Sequence, residues 1–91
     1  MKTKIHELKT WPQFFNKMWN DEKPFELRKN DRNFMEGDIC LFWEHNNISQ
    51  QYSGRLIIAK IGYILRGVPN FGLMEGYVIF AFNIIEKVDS Q

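Results

Sequence analysis

The sequence predicts an α+β fold that is mainly β, a small barrel of about five or six strands with one main N-terminal helix packed against it. Three observations lead to this prediction. The apolar segments follow the order strand, helix and then four strands, the long strands are apolar on both faces, and the helix carries a single apolar stripe. A strand that is apolar on both faces needs cover on each side, and a curled sheet with a helix packed against it supplies that cover.

Length and composition indicate one globular domain. The chain has 91 residues, of which 44% are hydrophobic and 25% are charged. We therefore expect a single domain over residues 1–91 with its core at about 4–87. Because the formal net charge is only +1, any contact with nucleic acid has to come from a local patch. No signal peptide or long apolar run is visible, which predicts a cytoplasmic protein with no membrane contact.

The first predicted elements are a strand over residues 3–8 and a helix over residues 11–20. Thr10 is the expected N-cap, and Pro12 is tolerated in the first turn because its nitrogen needs no helical partner. Pro24 disfavours a helical conformation at the residue before it and so ends the helix. Large apolar side chains at i, i+3, i+4, i+7 and i+8 form the stripe of the helix: Trp11, Phe14, Phe15, Met18 and Trp19.

Four strands are predicted after the helix. The first begins at Phe25, and the others cover residues 38–44, 55–65 and 76–88. Gly62, inside one of the long strands, indicates a bend or a bulge. Much of the core is expected to come from the following side chains: Trp11, Phe14, Phe15, Met18, Trp19, Phe25, Leu27, Ile39, Leu41, Ile58, Val78 and Phe80.

The cysteine and the histidines predict no metal site. Cys40 is the single cysteine, and its apolar neighbours are typical of a buried thiol. His6 and His45 lack the spacing of metal ligands. His6 shares a strand face with Leu8, which favours a core histidine over one that borders a cleft, and His45 belongs to a polar turn. No phosphate-binding loop, nucleophile elbow or dinucleotide fingerprint is present, so no cofactor is predicted.

A glycine-rich loop over residues 66–76 precedes the last strand. Phe71 lies near its tip. Such an aromatic side chain can plug the end of a barrel or stack on a base over a cleft. We favour the plug.

Charges of both signs crowd residues 23–34. Strand alternation places Phe25 and Leu27 on one face and Glu26 and Arg28 on the other. A solvated ion-pair surface is the simplest interpretation from spacing alone. The alternative is a site in which these groups hold a phosphate or the edge of a base.

The phrases "HELKTWPQFF", "KPFELRKNDRNFMEGD" and "FGLMEGYVIF" resemble ASCH-type domains of the PUA-like superfamily. The resemblance is strongest to a small bacterial and phage group of unknown function that is related to ASCH, and it covers residues 6–85. The ASCH signature Gly-x-Lys-x-x-Thr-x-Arg falls on Asp21, Lys23, Glu26 and Arg28. Lysine and arginine match, whereas Asp21 and Glu26 replace the glycine and the threonine.

This resemblance implies a β-barrel with a cleft between barrel and helix that binds RNA or a modified nucleoside or nucleotide. The ligand-binding residues expected at this cleft are His6, Lys9, Lys23, Glu26, Arg28, Asn30 and Arg32. Some small ASCH proteins are amidohydrolases that remove the acyl group of N4-acetylcytidine. If this chain is such an enzyme, the resemblance implies Lys23 and Glu26 as active-site residues, and Glu75 is the candidate for the third from its place before the last strand. A binding module, an amidohydrolase and a phage or bacterial protein-interaction domain are the three functional hypotheses.

Overall fold

The computed structural model describes residues 2–89, which form a curled mainly β sheet with one α-helix. The elements are β1 (Ile5–Thr10), α1 (Pro12–Trp19), β2 (Phe25–Lys29), β3 (Ile39–His45), β4 (Tyr52–Leu65), a short 3-10 helix (Pro69–Phe71) and β5 (Tyr77–Val88). The predicted fold class is confirmed. The helix is one residue shorter at each end than the predicted 11–20, because Trp11 is extended and Asn20 has left the helix.

The strands form one sheet in the order β1-β3-β4-β5-β2. β1 and β3 are parallel, and the other neighbouring pairs are antiparallel. The register between β4 and β5 shifts between Ile61 and Ile64, which confirms the bulge expected at Gly62. A bulge increases the local twist of a strand. The long strands therefore curl the sheet into a half-barrel whose two edge strands are β1 and β2.

Helix α1 begins at Pro12 and buries only part of its apolar stripe. Phe15 and Met18 are fully buried, as predicted. The predicted N-cap is wrong, since Trp11 occupies that position and makes no side-chain cap. Thr10 instead ends β1 with its hydroxyl buried, and that hydroxyl has no hydrogen-bond partner within residues 2–89.

The core lies between α1 and the concave face of the sheet. Its buried side chains are Leu8, Phe15, Met18, Phe34, Cys40, Phe42, Ile57, Ala59, Ile61, Ile64, Val78, Phe80 and Phe82. Trp19 is partly buried against this cluster. Val78 and Phe80 therefore lie in the core as predicted. Ile39, Leu41 and Ile58 are only half-buried, because they alternate with the inward residues of β3 and β4.

Four residues were wrongly predicted to lie in the core. Trp11, Phe14, Phe25 and Leu27 are 47%, 44%, 46% and 53% exposed. On β2 the face that we expected to be exposed is the one that points inward. Glu26 is buried and Arg28 is half-buried, whereas Phe25 and Leu27 face out. A carboxylate can occupy an inward position when cations neutralise it, and Lys23 and Arg28 lie beside Glu26.

The single cysteine and both histidines are buried. Burial raises the pKa of the Cys40 thiol to about 12, so the thiol stays protonated at neutral pH. His6 is 5% exposed, as expected of a core histidine, and its Nε2 lies 2.8 Å from Asp38 Oδ2. The prediction of a polar turn for His45 is wrong, because His45 ends β3 and packs on the ring of Tyr52.

Asp38 holds β1 against the segment that leads into β3. Its carboxylate accepts hydrogen bonds from the backbone N–H groups of Lys4 and Met35 in addition to the contact with His6. Burial raises the pKa of Asp38, but these hydrogen bonds lower it by more, so the pKa lies below its ordinary value.

The loop before β5 does not plug the barrel with its aromatic residue. Phe71 is 88% exposed, so that prediction is wrong, and Leu73 is the residue of this loop that is buried. Within residues 2–89, no helix is long and apolar enough to cross a membrane.

Candidate functional site

The edge strands β1 and β2 approach each other along a seam that the side chain of Arg28 bridges. Arg28 projects from β2, and its Nη2 donates a hydrogen bond of 2.7 Å to the carbonyl oxygen of Lys9 on β1. Its Nε donates to Glu26 Oε2 at 3.3 Å. A guanidinium has five N–H donors. The other three donors of Arg28 have no hydrogen-bond partner in the part of the chain that the structure describes.

Glu26 is the buried anchor of this seam. It is 7% exposed, and its carboxylate accepts hydrogen bonds from Lys23 Nζ at 3.1 Å and from the backbone N–H of Leu27 at 3.0 Å, besides the one from Arg28. Lys23 Nζ also donates to the carbonyl oxygen of Phe25. Lys23, Glu26 and Arg28, here called the Glu26 cluster, together carry two positive charges and one negative charge, which leaves a local excess of one positive charge.

Two open grooves flank the seam. The Trp11 groove has a volume of about 620 Å³ and is lined by Lys9, Thr10, Trp11, Phe14, Lys23, Phe25, Glu26, Leu27, Arg28, Lys29, Asp31, Arg32 and Tyr77. The Tyr52 groove has a volume of about 620 Å³ and is lined by Glu7, Leu8, Lys9, Arg28, Arg32, Trp43, Tyr52 and Gly54. Three residues line both grooves, namely Lys9, Arg28 and Arg32.

Aromatic rings form one wall of the Trp11 groove. Trp11 and Phe14 stack with ring centroids 5.9 Å apart and planes 23° from parallel. Lys23 Nζ lies 5.7 Å from the centroid of Phe14 and 5.3 Å from that of Phe25. A cation at this distance from a ring is attracted to its π face. The groove therefore combines half-exposed rings with an ammonium group that is held in place.

The Tyr52 groove also contains an exposed aromatic ring. Tyr52 is 55% exposed, and its ring meets Trp43 at 6.5 Å and His45 at 4.6 Å, both close to edge-on. Trp43 is itself held by a hydrogen bond of 3.1 Å from its Nε1 to Glu7 Oε1. Lys9 Nζ lies 6.0 Å from the centroid of Tyr52. These contacts fix the orientation of the Tyr52 ring while leaving half of its surface accessible.

The structure brings together five of the seven residues predicted to bind a ligand: Lys9, Lys23, Glu26, Arg28 and Arg32. His6 and Asn30 are not among the residues that line either groove. Asn30 holds a turn, since its Oδ1 accepts from the backbone N–H of Phe34 and its own N–H donates to the carbonyl oxygen of Gly76. Glu75 is exposed in the loop before β5 and lines neither groove.

The aromatic residues of the two grooves are what sequence reasoning missed. Trp11, Phe14 and Phe25 were assigned to the core, and Trp43 and Tyr52 were given no role. No signal in the sequence separates these rings from the core, because apolar residues at i, i+3, i+4, i+7 and i+8 are the usual pattern of a core-facing helix. No three His, Cys, Asp or Glu side chains within residues 2–89 are grouped so that they could hold a metal ion.

Comparison with known proteins identifies one family and one phage relative, and neither has a described function. Residues 5–82 match a family described as a domain of unknown function, DUF3850. An uncharacterized 12.9 kDa protein in the GpA 3' region of Escherichia phage P2 is 34% identical to this chain over 61 residues. The match covers 67% of this chain and 54% of the phage protein, so the chain spans about half the length of this curated relative. Because the family match covers most of the chain, the protein belongs to the DUF3850 family.

Proposed function

We propose that this protein is a binding module for RNA or a modified nucleotide, and that the seam between β1 and β2 is its binding site. The observation that carries the proposal is the incomplete hydrogen bonding of the Arg28 guanidinium. Its guanidinium is held at Glu26 and at the Lys9 carbonyl, yet three of its N–H donors are unused within residues 2–89. An arginine oriented in this way is suited to a phosphate or to the edge of a base.

Further cations beside Arg28 support an anionic ligand. Lys9 and Arg32 line the same grooves. Within residues 2–89, no carboxylate lies within 4.0 Å of Lys9 Nζ, and the contact of Arg32 with Asp31 is long, at 3.9 Å, and exposed. Exposed pairs of this kind stabilise little, so both cations can turn toward a phosphate.

The exposed rings supply the other half of a nucleotide site. Single-stranded RNA is recognised largely by stacking of its bases on aromatic side chains. Trp11, Phe14 and Tyr52 offer such surfaces within the grooves that the cations border. A protein-interaction surface also exposes rings, but the unused arginine donors favour a ligand that carries phosphate.

The resemblance to ASCH-type domains of the PUA-like superfamily supports the same location. Three of the four positions on which the ASCH signature falls are the members of the Glu26 cluster: Lys23, Glu26 and Arg28. The amidohydrolase hypothesis receives less support from the geometry. The Glu26 carboxylate already accepts three hydrogen bonds, and Glu75 lines neither groove, so neither carboxylate named by that hypothesis is placed as a free base beside the rings.

Replacement of Arg28 by alanine tests the proposal. We expect Arg28→Ala to weaken binding of a fluorescent RNA hexamer by about 1.5 to 3 kcal/mol, which is the usual loss of a charge-assisted contact. Fluorescence anisotropy measures this change directly. Lys60→Ala is the matched control, because it removes one positive charge from an exposed position on β4 outside both grooves. We expect the control to bind like the wild type.

Two results would overturn the assignment. The first is that nucleosides, nucleotides and short RNAs all fail to bind the wild-type protein. The second is that Arg28→Ala leaves RNA affinity unchanged while it sharply lowers the melting midpoint, which would make the residue structural. Turnover of N4-acetylcytidine that Glu26→Gln abolishes, with binding retained, would replace the proposed module by an amidohydrolase.

A further inference from the structure

The two grooves share their cations but not their rings, and this arrangement bears on the length of the ligand. We infer that the seam takes single-stranded RNA of at least two nucleotides, with a phosphodiester at the shared cations and one base in each groove. The inference rests on the proposed function, since it specifies the ligand of the same site.

All three residues that line both grooves are basic. Lys9, Arg28 and Arg32 therefore form a ridge of positive charge with a groove on either side. A phosphodiester carries one negative charge and links two nucleosides. A ligand with its phosphodiester on this ridge has one nucleoside available for each side.

Each groove has its own ring and enough room for a base. Both volumes are about 620 Å³, within the range of small-molecule sites. The Trp11 groove offers the stacked pair of Trp11 and Phe14, and the Tyr52 groove offers a ring fixed edge-on by Trp43. A mononucleotide with its phosphate on the ridge can use only one of these stacking surfaces, whereas a dinucleotide uses both.

The geometry also selects single strands. Bases in a duplex are stacked on one another and paired, so they cannot enter grooves on opposite sides of a charged ridge. Bases of a single strand can be splayed apart and stacked on separate side chains. Because the shared cations contact phosphate, a deoxyribose strand offers the same charge, and the experiment has to compare both sugars.

The test compares ligands of increasing length on the wild-type protein and on two variants of the Tyr52 groove. We expect a ribodinucleotide to bind more tightly than either of its 5'-mononucleotides, by about 5- to 150-fold, which corresponds to one stacked base. Tyr52→Ala should remove most of this gain, so that the dinucleotide affinity of the variant falls toward that of a mononucleotide. Tyr52→Phe retains the ring and should retain the gain. Isothermal titration calorimetry on the full chain measures these affinities.

Each outcome separates the inference from the proposed function. If mononucleotides and dinucleotides bind equally well and Tyr52→Ala changes neither, the two-groove inference fails while the proposed function stands. If no nucleotide of any length binds, the proposed function fails. Tighter binding of a hairpin duplex than of a single strand of equal length would also overturn the inference. Equal binding of ribo- and deoxyribodinucleotides would retain both grooves and remove the preference for RNA.

Discussion

Two clusters in this protein pair a buried glutamate with an arginine, and they differ in how completely the arginine is used. In the Glu26 cluster, Arg28 contacts the carboxylate through one nitrogen at 3.3 Å. In the other cluster, formed by Asn16, Glu44, Ser53 and Arg55 and here called the Glu44 cluster, Arg55 contacts both carboxylate oxygens, at 2.9 Å and 3.0 Å. The two glutamates are equally buried, at 7% exposed each.

The Glu44 cluster fastens helix α1 to the sheet. Arg55 donates to Asn16 Oδ1 on α1 at 2.6 Å, and its guanidinium lies 5.0 Å from the ring of Phe15 and 4.9 Å from that of Trp19. Hydrogen bonds from Arg55 lower the pKa of Glu44 below its ordinary value, although burial opposes this effect. The bond to Glu44 raises the pKa of Arg55 in turn.

The two arginines differ in the use of their donors rather than in their exposure, since the Arg55 and Arg28 side chains are 23% and 27% exposed. Arg55 donates to both oxygens of Glu44 and to Asn16, and its guanidinium packs on two rings. Arg28 is fixed at two points and lines two grooves. The presence of a glutamate–arginine pair therefore does not reveal what the pair does. The hydrogen bonds made by the other N–H donors of the arginine distinguish the two clusters.

The largest expected effect separates the two arginines by stability. Arg55→Ala leaves the Glu44 carboxylate buried with Ser53 as its remaining side-chain donor, and we expect a loss of about 2 to 4 kcal/mol in the free energy of unfolding. Arg28→Ala leaves Glu26 with its hydrogen bonds from Lys23 and from the backbone N–H of Leu27, so we expect a smaller loss of about 0.5 to 1.5 kcal/mol. Urea denaturation measures both changes, and equal losses would contradict the division of roles.

A smaller effect is expected from acid. Because the pKa values of Glu44 and Asp38 are lowered in the folded protein, both carboxylates stabilise the fold above their ordinary values of 4.5 and 3.8. That stability is lost as the pH falls below this range toward the folded pKa values. The melting midpoint should fall between pH 6 and pH 3, and Glu44→Gln should reduce the fall. If the melting midpoint of Glu44→Gln falls with pH as steeply as that of the wild type, Glu44 does not contribute to the acid sensitivity.

The smallest expected effect is a gain in stability beside the seam. The Thr10 hydroxyl is buried without a hydrogen-bond partner within residues 2–89. Thr10→Val keeps the shape of the side chain and removes the unsatisfied hydroxyl, so it should raise the free energy of unfolding by about 1 kcal/mol. Thr10→Ser is the matched control and should give no gain. Destabilisation by Thr10→Val would mean that the hydroxyl has a partner in solution.

The sequence predicts the backbone of this fold well because spacing alone determines which elements form. The stripe around Phe15 and Met18 predicted α1, and long apolar runs predicted β4 and β5. The inward face of β2 could not be predicted in this way. Hydrophobicity favours Phe25 and Leu27 as the inward residues, and the burial of Glu26 depends on cations that the chain brings together in three dimensions.

The charged residues of the candidate site could be predicted from the sequence, whereas its aromatic residues could not. Lys23, Glu26 and Arg28 lie within one short stretch of sequence, and the ASCH resemblance pointed to them, whereas their spacing alone favoured a solvated ion-pair surface. The two grooves lie between β1 and β2, which are opposite edges of the sheet and come near each other only because the sheet curls. No local pattern in the sequence encodes that curl, so the rings beside it could not be assigned to a site.

The position of β2 at the sheet edge has a consequence for the order in which the protein folds. β3, β4 and β5 are successive antiparallel neighbours and can pair through short loops, whereas β2 pairs with β5 from near the other end of the chain. Closing long loops makes such pairing slow and late. We therefore expect the amide hydrogens of residues 25–29 to exchange faster than those of β4. On this expectation the strand that carries the Glu26 cluster pairs late in folding and opens before β4 does.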